Sequence, residues 1–311
     1  MVDNRQSYSQ WLHRLAVLTA VATFILIFVG GLVTSTDSGL AVPDWPTTFG
    51  YNMFLYPLSK MIGGVLYEHS HRLIGSVVGM LTIVLVIWLW IKDSRKWMRW
   101  LGGAALIAVI AQGVLGGLRV IQQEQVLAII HACFAQAFFA LVASLVLFTS
   151  REWNEEIEVV QTNDATRLRR LGVLTTSFIY IQLIFGAVLR HTGVRLDAHL
   201  LFAALVAIHI FLLAKRILRD YLEHKRLVRS TSTLSLMLAL QLMLGVGALL
   251  SVMVFKEAMP VAASVTITTA HVAVGALMLI TSLVLTLRIY RSTGISETTV
   301  NQKLVSGEAS A

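Results

Sequence analysis

A short polar stretch at the start of an apolar segment carries the residues best suited to chemistry. In YEHSHRLIGSVVG, residues 67–79, Glu68 stands three residues before His71 and four before Arg72. Residues three or four apart lie on one face of a helix and within side-chain reach. Glu68 can therefore act as an acid or base beside an imidazole that binds a metal. An ion pair between Glu68 and Arg72 is the structural alternative.

Histidines recur at matching places along the chain. His71, His131, His199 and His271 each lie near the predicted outer end of an apolar segment, and the segment before each carries a glycine. The glycine-bearing stretches are Leu26-IFV-Gly30, Gln112-GVL-Gly116, Gln182-LIF-Gly186 and Gln241-LML-Gly245. A hairpin of a glycine-bearing helix and a histidine-bearing helix is therefore predicted to occur four times.

Four repeated histidines inside apolar helices indicate a shared ligand. Ionisable residues in such helices are costly and usually face the bundle interior. Paired imidazoles within a four-helix bundle can hold a haem. The glycines fit this, because a planar macrocycle needs close backbone approach, although helix packing through small residues explains them equally well. Zinc and di-iron sites gather histidines and carboxylates at short spacing, and only one Glu-x-x-His motif exists. We therefore predict two bis-histidine haem sites.

The four hairpins differ in one respect. The residues three before the other histidines, Ala128, Leu196 and Thr268, are uncharged, so Glu68 has no counterpart. A duplicated scaffold with one acidic copy suggests that one half of the protein reacts while the other holds a cofactor.

The elements that position these residues are transmembrane helices. Of the 311 residues 56% are hydrophobic and only 14% are charged, and the apolar residues collect in runs of the length needed to cross a bilayer. The predicted spans are 15–34, 71–91, 101–118, 127–149, 171–189, 196–214, 232–254 and 261–287. We predict an all-α integral membrane protein whose eight helices form two pseudo-symmetric four-helix bundles. Residues 1–160 and 161–311 form the halves, joined by a charged linker at 151–170.

Charge predicts the orientation of the helices. Most of the 25 Lys and Arg residues fall in the termini and in alternate loops, which places both termini in the cytoplasm. The net charge of +8 reflects this bias and contact with membrane lipid, and it does not indicate nucleic-acid binding. The single cysteine, Cys133, excludes an intramolecular disulfide. The outer loop 35–66 is predicted to form an ordered cap over the first half.

Together these motifs resemble the haem A synthase family. GGLVTSTDSGLAVPDWPTTFG, residues 30–50, is similar to the first-loop signature of that family, and EHSHR, residues 68–72, to its Glu-x-x-His-Arg motif. The resemblance covers nearly the whole chain. It implies an enzyme of the bacterial cytoplasmic membrane that oxidises a methyl group of haem O to the formyl group of haem A, for cytochrome oxidase.

The resemblance also implies roles for individual residues. Glu68 would be the catalytic acid or base, His71 and His131 would hold the substrate haem, and His199 and His271 would ligate a resident haem b. Arg72, Arg119 and Arg190 are candidate partners of the haem propionates. Contact with a haem O synthase and assembly of a homo-oligomer are left open. Many bacterial members carry loop cysteines where this chain has Val42 and Thr48. A di-haem cytochrome b that relays electrons is the alternative function.

Overall fold

Eight long helices make up most of the structure. A computed structural model of the chain describes residues 8–156, 159–162 and 164–294. The long helices are α1 (Gln10–Ser35), α2 (Gly64–Lys92), α3 (Lys96–Gln122), α4 (Gln125–Thr149), α6 (Ala165–Thr192), α7 (Leu196–Asp220), α8 (Lys225–Leu249) and α9 (Val261–Ser292). Each is long and apolar enough to cross a membrane. The eight predicted spans are confirmed, and most of the helices extend past the predicted ends by one to two turns.

Local sequence signals set several of the helix ends. Ser9 caps α1, where its side chain accepts a hydrogen bond from the backbone amide of Leu12. Gly193 ends α6 at φ +72°, a left-handed conformation that glycine adopts at little cost. Pro260 stands immediately before α9, which suits a residue with no backbone N–H to contribute to a helix.

The long helices form two four-helix groups. In the first, α1 packs on α2, α2 on α3, α3 on α4 and α4 on α1; α6, α7, α8 and α9 form a matching closed ring. We call these groups the first bundle and the second bundle. They meet where α1 and α4 pack on α9 and where α4 packs on α6. Ile27, Phe139 and Ala276 are buried at this junction.

The segment between the bundles is tied to the end of α9. It contains the one-turn helix α5 (Arg151–Asn154) and the strand β3 (Val160–Gln161), which pairs in parallel with β4 (Thr293–Gly294). Arg288 forms an ion pair with Glu152 at 2.7 Å. The predicted linker at 151–170 is therefore shorter than expected, because its last residues already belong to α6. Residues 1–7 and 295–311 lie outside the described residues, so the cytoplasmic placement of the termini stays a prediction.

Candidate functional site

Each bundle brings one pair of histidines together. His71 of α2 and His131 of α4 have ring centroids 6.5 Å apart, with their planes at 73°. His199 of α7 and His271 of α9 have centroids 6.3 Å apart at 69°. The four histidines therefore form two matching pairs, one in each bundle.

A glycine contacts every one of these rings. A β-carbon placed on Gly30 or on Gly116 would lie 3.0 Å from Cε1 of His71 or His131, and the corresponding distance for Gly186 with His199 and Gly245 with His271 is 3.1 Å. Such separations are tighter than ordinary van der Waals contact. From the sequence, these glycines suited either a macrocycle or plain helix packing, and in the structure their nearest side-chain neighbours are the imidazoles.

The pairs fit the axial ligands of a haem. A metal bound linearly between two imidazoles, about 2 Å from each ring nitrogen, puts the ring centroids roughly 6.3 Å apart. Each of the four Nδ1 atoms is buried and has no hydrogen-bond partner among the described residues. Within the same residues, no group of three or more His, Cys, Asp and Glu side chains could hold a metal ion. The histidine pairs are thus the donors that the described chain offers to a metallated ligand.

Glu68 is buried beside the first pair. Only 4% of its surface is exposed. One carboxylate oxygen accepts a hydrogen bond from Nη2 of Arg72 at 2.7 Å, and the other accepts one from the backbone amide of Val42 at 2.8 Å. The predicted ion pair with Arg72 therefore exists. It does not stand alone, because the carboxylate also fixes the outer loop above it.

Arg72 fastens the same loop from below. Its Nη1 donates to the carbonyls of Asp44 and Thr47, at 2.7 and 3.1 Å, and its Nη2 donates to the carbonyl of Val42 at 2.9 Å. The donors on both terminal nitrogens are thus engaged by protein acceptors. A haem propionate could reach Arg72 only by displacing the loop.

Asp44 shapes the turn that Arg72 holds. Its carboxylate accepts hydrogen bonds from the backbone amides of Phe49 and Gly50, at 2.7 and 2.9 Å, and from the Thr47 hydroxyl. Burial by itself would raise the pKa of Asp44, but the bonds from Gly50, Thr47 and Phe49 bring that pKa below its ordinary value. β1 (Thr47–Thr48) pairs with β2 (Tyr51–Asn52) across this turn. The predicted cap is accordingly a compact, hydrogen-bonded loop.

Arg119 lies under the cap and remains available. Its guanidinium contacts the backbone of Gly39, and a side chain at that position would collide with it. It lies close enough to Glu68, His71 and His131 for electrostatic interaction with them, yet its guanidinium forms no hydrogen bond or ion pair with any residue in the described ranges. Arg72 and Arg190 use their terminal nitrogens in bonds to the protein, so among the three candidate arginines Arg119 has the most donors left within the described ranges.

Arg190 joins the two bundles. Located on α6, it donates from Nη2 to the carbonyl of Gly31 at 2.8 Å and to the hydroxyl of Ser35, both on α1. Ser35 in turn lies 3.0 Å from the hydroxyls of Thr268 and Thr269 on α9. Arg190 therefore lies where three helices meet and is bonded to backbone and hydroxyl groups.

The remaining histidines near the site have other partners. His69 faces away from His71, and its Nδ1 lies 3.1 Å from the Thr48 hydroxyl. His209 bonds to the carbonyl of Leu205 at 2.8 Å. His191 belongs to the last turn of α6.

Sequence reasoning missed two features of the site. Thr48, one of the positions where relatives were expected to carry cysteine, is fully buried and bonds to His69. Val42, the other such position, is also fully buried and donates its amide to Glu68. The EHSHR stretch therefore ties down both positions without a disulfide. The adjacency of Glu68 and His69 was the signal that could have indicated this.

Comparison with known proteins identifies the family. The sequence profile of COX15-CtaA, described as a cytochrome oxidase assembly protein, matches residues 13–63 and 56–198. Proteins named heme A synthase from Shouchella clausii and Lysinibacillus sphaericus are 29% and 30% identical over 189 and 190 residues. A third from Alkalihalophilus pseudofirmus is 29% identical over 181 residues.

The matches cover part of each protein. They cover 60%, 60% and 57% of this chain, in the order in which the relatives are named above. In the same order, they cover 61%, 60% and 59% of the relatives' own lengths. The chain thus spans about three fifths of the length of these curated relatives, and the profile match ends just before His199. Since the profile nevertheless covers more than half of the chain, this multi-pass membrane protein belongs to the COX15-CtaA family of cytochrome oxidase assembly proteins.

Proposed function

We propose that this protein is a haem A synthase, which oxidises a methyl group of haem O to the formyl group of haem A. The observation that carries the proposal is the first bundle, where one loop covers a histidine pair, a buried carboxylate and an arginine whose guanidinium has no partner among the described residues. The relatives named heme A synthase agree with it. Haem O is then the substrate, held between His71 and His131.

The second bundle holds a resident haem b in this proposal. His199 and His271 repeat the geometry of the first pair to within 0.2 Å in centroid separation, 6.3 against 6.5 Å. No carboxylate corresponds to Glu68 there, because the residues three before His199 and His271 are Leu196 and Thr268. When bound, haem b supplies a one-electron redox centre, which suits a site that has ligands and no acid or base.

Arg119 is the propionate partner that the contacts favour. A guanidinium binds a carboxylate through paired charge-assisted hydrogen bonds, and Arg119 has its donors free among the described residues. Both terminal nitrogens of Arg72 are occupied by the loop and Glu68. Arg190 is occupied by Gly31 and Ser35. The two latter residues therefore act mainly on the protein itself, one holding the cap and the other joining the bundles.

Glu68 serves as the acid or base of the first bundle. Its carboxylate can accept a proton from the substrate or stabilise positive charge that develops there. The bonds from Arg72 and Val42 fix its position, and the cap keeps bulk water away. Substrate would have to enter from the membrane between the helices, because the farnesyl chain is apolar. Contact with a haem O synthase, a homo-oligomer and cytoplasmic termini remain predictions.

Conversion of haem O in cells tests the proposal. The chain is expressed with a source of haem O as wild type, Glu68→Gln and Arg72→Lys, and extracted haems are separated by chromatography. Glu68→Gln retains the size of the side chain and an acceptor for the Val42 amide but removes the charge. We expect haem A from the wild type, at least roughly a hundredfold less from Glu68→Gln, as for loss of a general acid or base, and partial activity from Arg72→Lys.

Three outcomes separate the alternatives. Wild-type protein that binds haem b but makes no haem A would contradict the synthase and favour an electron-relaying cytochrome b. Full activity in Glu68→Gln would agree with a haem A synthase but would show that Glu68 only holds the loop. Equal loss in Glu68→Gln and Arg72→Lys, with the cap becoming sensitive to protease in both, would assign the effect to loop position.

A further inference from the structure

A basic groove lies between α6 and α7, at the end of the second bundle opposite to its histidines. Its cationic lining residues are Arg167 and Arg170 of α6 and Lys215, Arg216 and Arg219 of α7. The cavity has a volume of about 420 Å³, which is within the range of roughly 300–1,000 Å³ typical of sites for small molecules. At 1.5 Å per residue, Lys215 lies about 24 Å further along α7 than His199. The groove is therefore separate from the histidine pair of the same bundle.

Only two of the five cations in this groove have a partner among the described residues. Arg216 forms an ion pair with Asp164, and Arg219 forms one with Asp220 at 2.7 Å. The cations without a hydrogen bond or ion pair to any residue that the structure describes are Arg167, Arg170 and Lys215. Five cations less two carboxylates leave three positive charges at the groove.

The two helices hold like charges close together along the groove. Arg167 and Arg170 are three residues apart on α6, and Lys215 and Arg219 are four apart on α7. Like charges at these spacings are neighbours on a helix surface and destabilise the helix slightly. An anion bound in the groove would relieve this repulsion, so electrostatics favours an anionic occupant.

The inner wall of the groove is apolar. Leu171 and Leu174 of α6 and Leu212 of α7 line it, and Leu212 is 44% exposed. Leu174 lies about 6 Å further along α6 than Arg170, and Leu212 lies about 4.5 Å before Lys215 on α7. The cations thus lie at the rim and the leucines on the side of the membrane core. A phosphate group that carries acyl chains matches this arrangement, whereas a free phosphate would leave the leucines without a contact.

The corresponding hairpin of the first bundle, α1 and α2, carries fewer cations at this end. In its described turns they are Arg14 and Lys92, and the guanidinium of Arg14 lies over the ring of Trp11, 4.9 Å from its centroid. The repeated architecture therefore does not require a cluster of cations, and the groove is specific to the second bundle.

We propose that the groove between α6 and α7 binds one anionic phospholipid. Its phosphate contacts Arg167, Arg170 and Lys215, and its acyl chains lie against the leucines of the inner wall. Basic pockets between transmembrane helices are recurrent sites for anionic lipid headgroups. The bound lipid stabilises the packing of α6 on α7, because a ligand that binds only the folded state raises its stability. The inference does not depend on the proposed function, since the groove is remote from both histidine pairs.

Native mass spectrometry of the delipidated full-length protein in detergent tests the proposal. Phosphatidylglycerol and phosphatidylcholine with the same acyl chains are added in turn to the wild type and to two triple variants. The groove variant is Arg167→Gln/Arg170→Gln/Lys215→Gln, and the control variant is Arg14→Gln/Lys92→Gln/Lys96→Gln. The control removes the same number of exposed charges from the same end of the first bundle.

The preference for the anionic lipid is the expected result. We expect the wild type and the control variant to bind one phosphatidylglycerol at least roughly tenfold more tightly than phosphatidylcholine, and the groove variant to lose this preference. Each cation near an anionic lipid surface contributes about fivefold in affinity. Phosphatidylglycerol should also raise the unfolding midpoint of the wild type and the control variant, but not that of the groove variant.

Three results would overturn the inference. Equal affinity of the wild type for the two lipids would show that the groove does not select an anionic lipid. Equal loss in the two triple variants would show a diffuse attraction to positive charge instead of a site. Displacement of phosphatidylglycerol by an equal concentration of soluble glycerol phosphate would assign the groove to a free phosphate compound. If the groove variant fails to fold, as judged by circular dichroism, Lys215→Gln alone decides, with an expected loss of about fivefold.

Discussion

The two bundles hold their histidine pairs in nearly the same way but surround them differently. In the first, Glu68 stands three residues before His71 and is fixed by Arg72 and the Val42 amide. In the second, Thr268 stands three residues before His271, and its hydroxyl donates to the carbonyl of Ser264 on its own helix. Both bundles thus contain a histidine pair, whereas the buried Glu68 and the loop that it holds belong to the first bundle. A shared arrangement of histidines does not by itself imply a shared reaction.

Removing one histidine from each bundle should produce the largest difference. His199→Ala is expected to lower the content of tightly held haem b by more than roughly tenfold, because a metal ligand contributes more than the groups around it. His71→Ala should retain that haem and lose haem A formation. Absorbance spectra of the purified proteins and chromatography of extracted haems measure the two effects. Equal loss of haem b in both variants would contradict a division of labour.

The glycine contacts can be tested within a single helix. Gly116→Ala would place a β-carbon 3.0 Å from Cε1 of His131, whereas nothing lies within 4 Å of the corresponding position at Gly113. The ring must therefore shift by a few tenths of an ångström in the first variant only. We expect haem affinity to fall by roughly threefold to tenfold in Gly116→Ala, measured by haem titration. Gly113→Ala is the control and should bind as wild type.

A matching substitution extends this test to the second bundle. Gly245→Ala faces His271 at 3.1 Å and should weaken the resident haem by a similar factor. A strong effect at Gly116 with none at Gly245 would mean that the two ring environments differ more than their geometry indicates.

The bonds of Arg190 between the two bundles should have a smaller effect than the histidines and glycines. Arg190→Gln removes the bonds to Gly31 and Ser35 and is expected to destabilise the protein by about 1–3 kcal/mol. The unfolding midpoint in detergent should fall by a few degrees, roughly 2–4 °C for each kcal/mol. Arg195→Gln, at an exposed position outside the junction, is the matched control. Equal midpoints for the two variants would show that helix packing alone joins the bundles.

The smallest expected effect is a change in the stability of the outer loop with pH. The pKa of Asp44 is lower in the folded loop than in an unfolded chain, so its contribution to stability is present above the unfolded value, about 3.9. That contribution is lost as the pH falls through the lower folded value. Limited proteolysis of the loop should accelerate below about pH 4. Asp44→Asn should be cleaved faster at neutral pH and show less change on acidification.

Much of this fold could be predicted from the sequence. The eight helices follow from runs of apolar residues that only a bilayer-spanning helix can bury. The four hairpins follow from the repeated glycine and histidine. The helix ends were less accurate, because the end turns of several helices carry charges that lower the local hydropathy, as Lys96 and Arg99 do in α3. The linker was predicted too long for the same reason, since Arg167, Arg169 and Arg170 already lie in α6.

The candidate site was predictable in its residue types but not in its contacts. The spacing of Glu68, His71 and Arg72 along one helix face is a local property of the sequence. That Arg72 serves the loop and Arg119 stays unpaired is not local, because three arginines at helix ends look alike until distant segments meet. The same holds for the glycines, which suited either a ligand or plain helix packing and contact imidazoles from the next helix.

The sequence by itself determined which helices form, how they repeat, and that one copy alone carries an acid. These properties depend on periodicity and spacing within a few helical turns. Tertiary structure decided which side chains face one another: the two histidine pairs, and the loop held by Glu68 and Arg72. The physical reason is that such contacts join residues far apart in the chain, and only the packing of whole helices brings those residues within hydrogen-bonding distance.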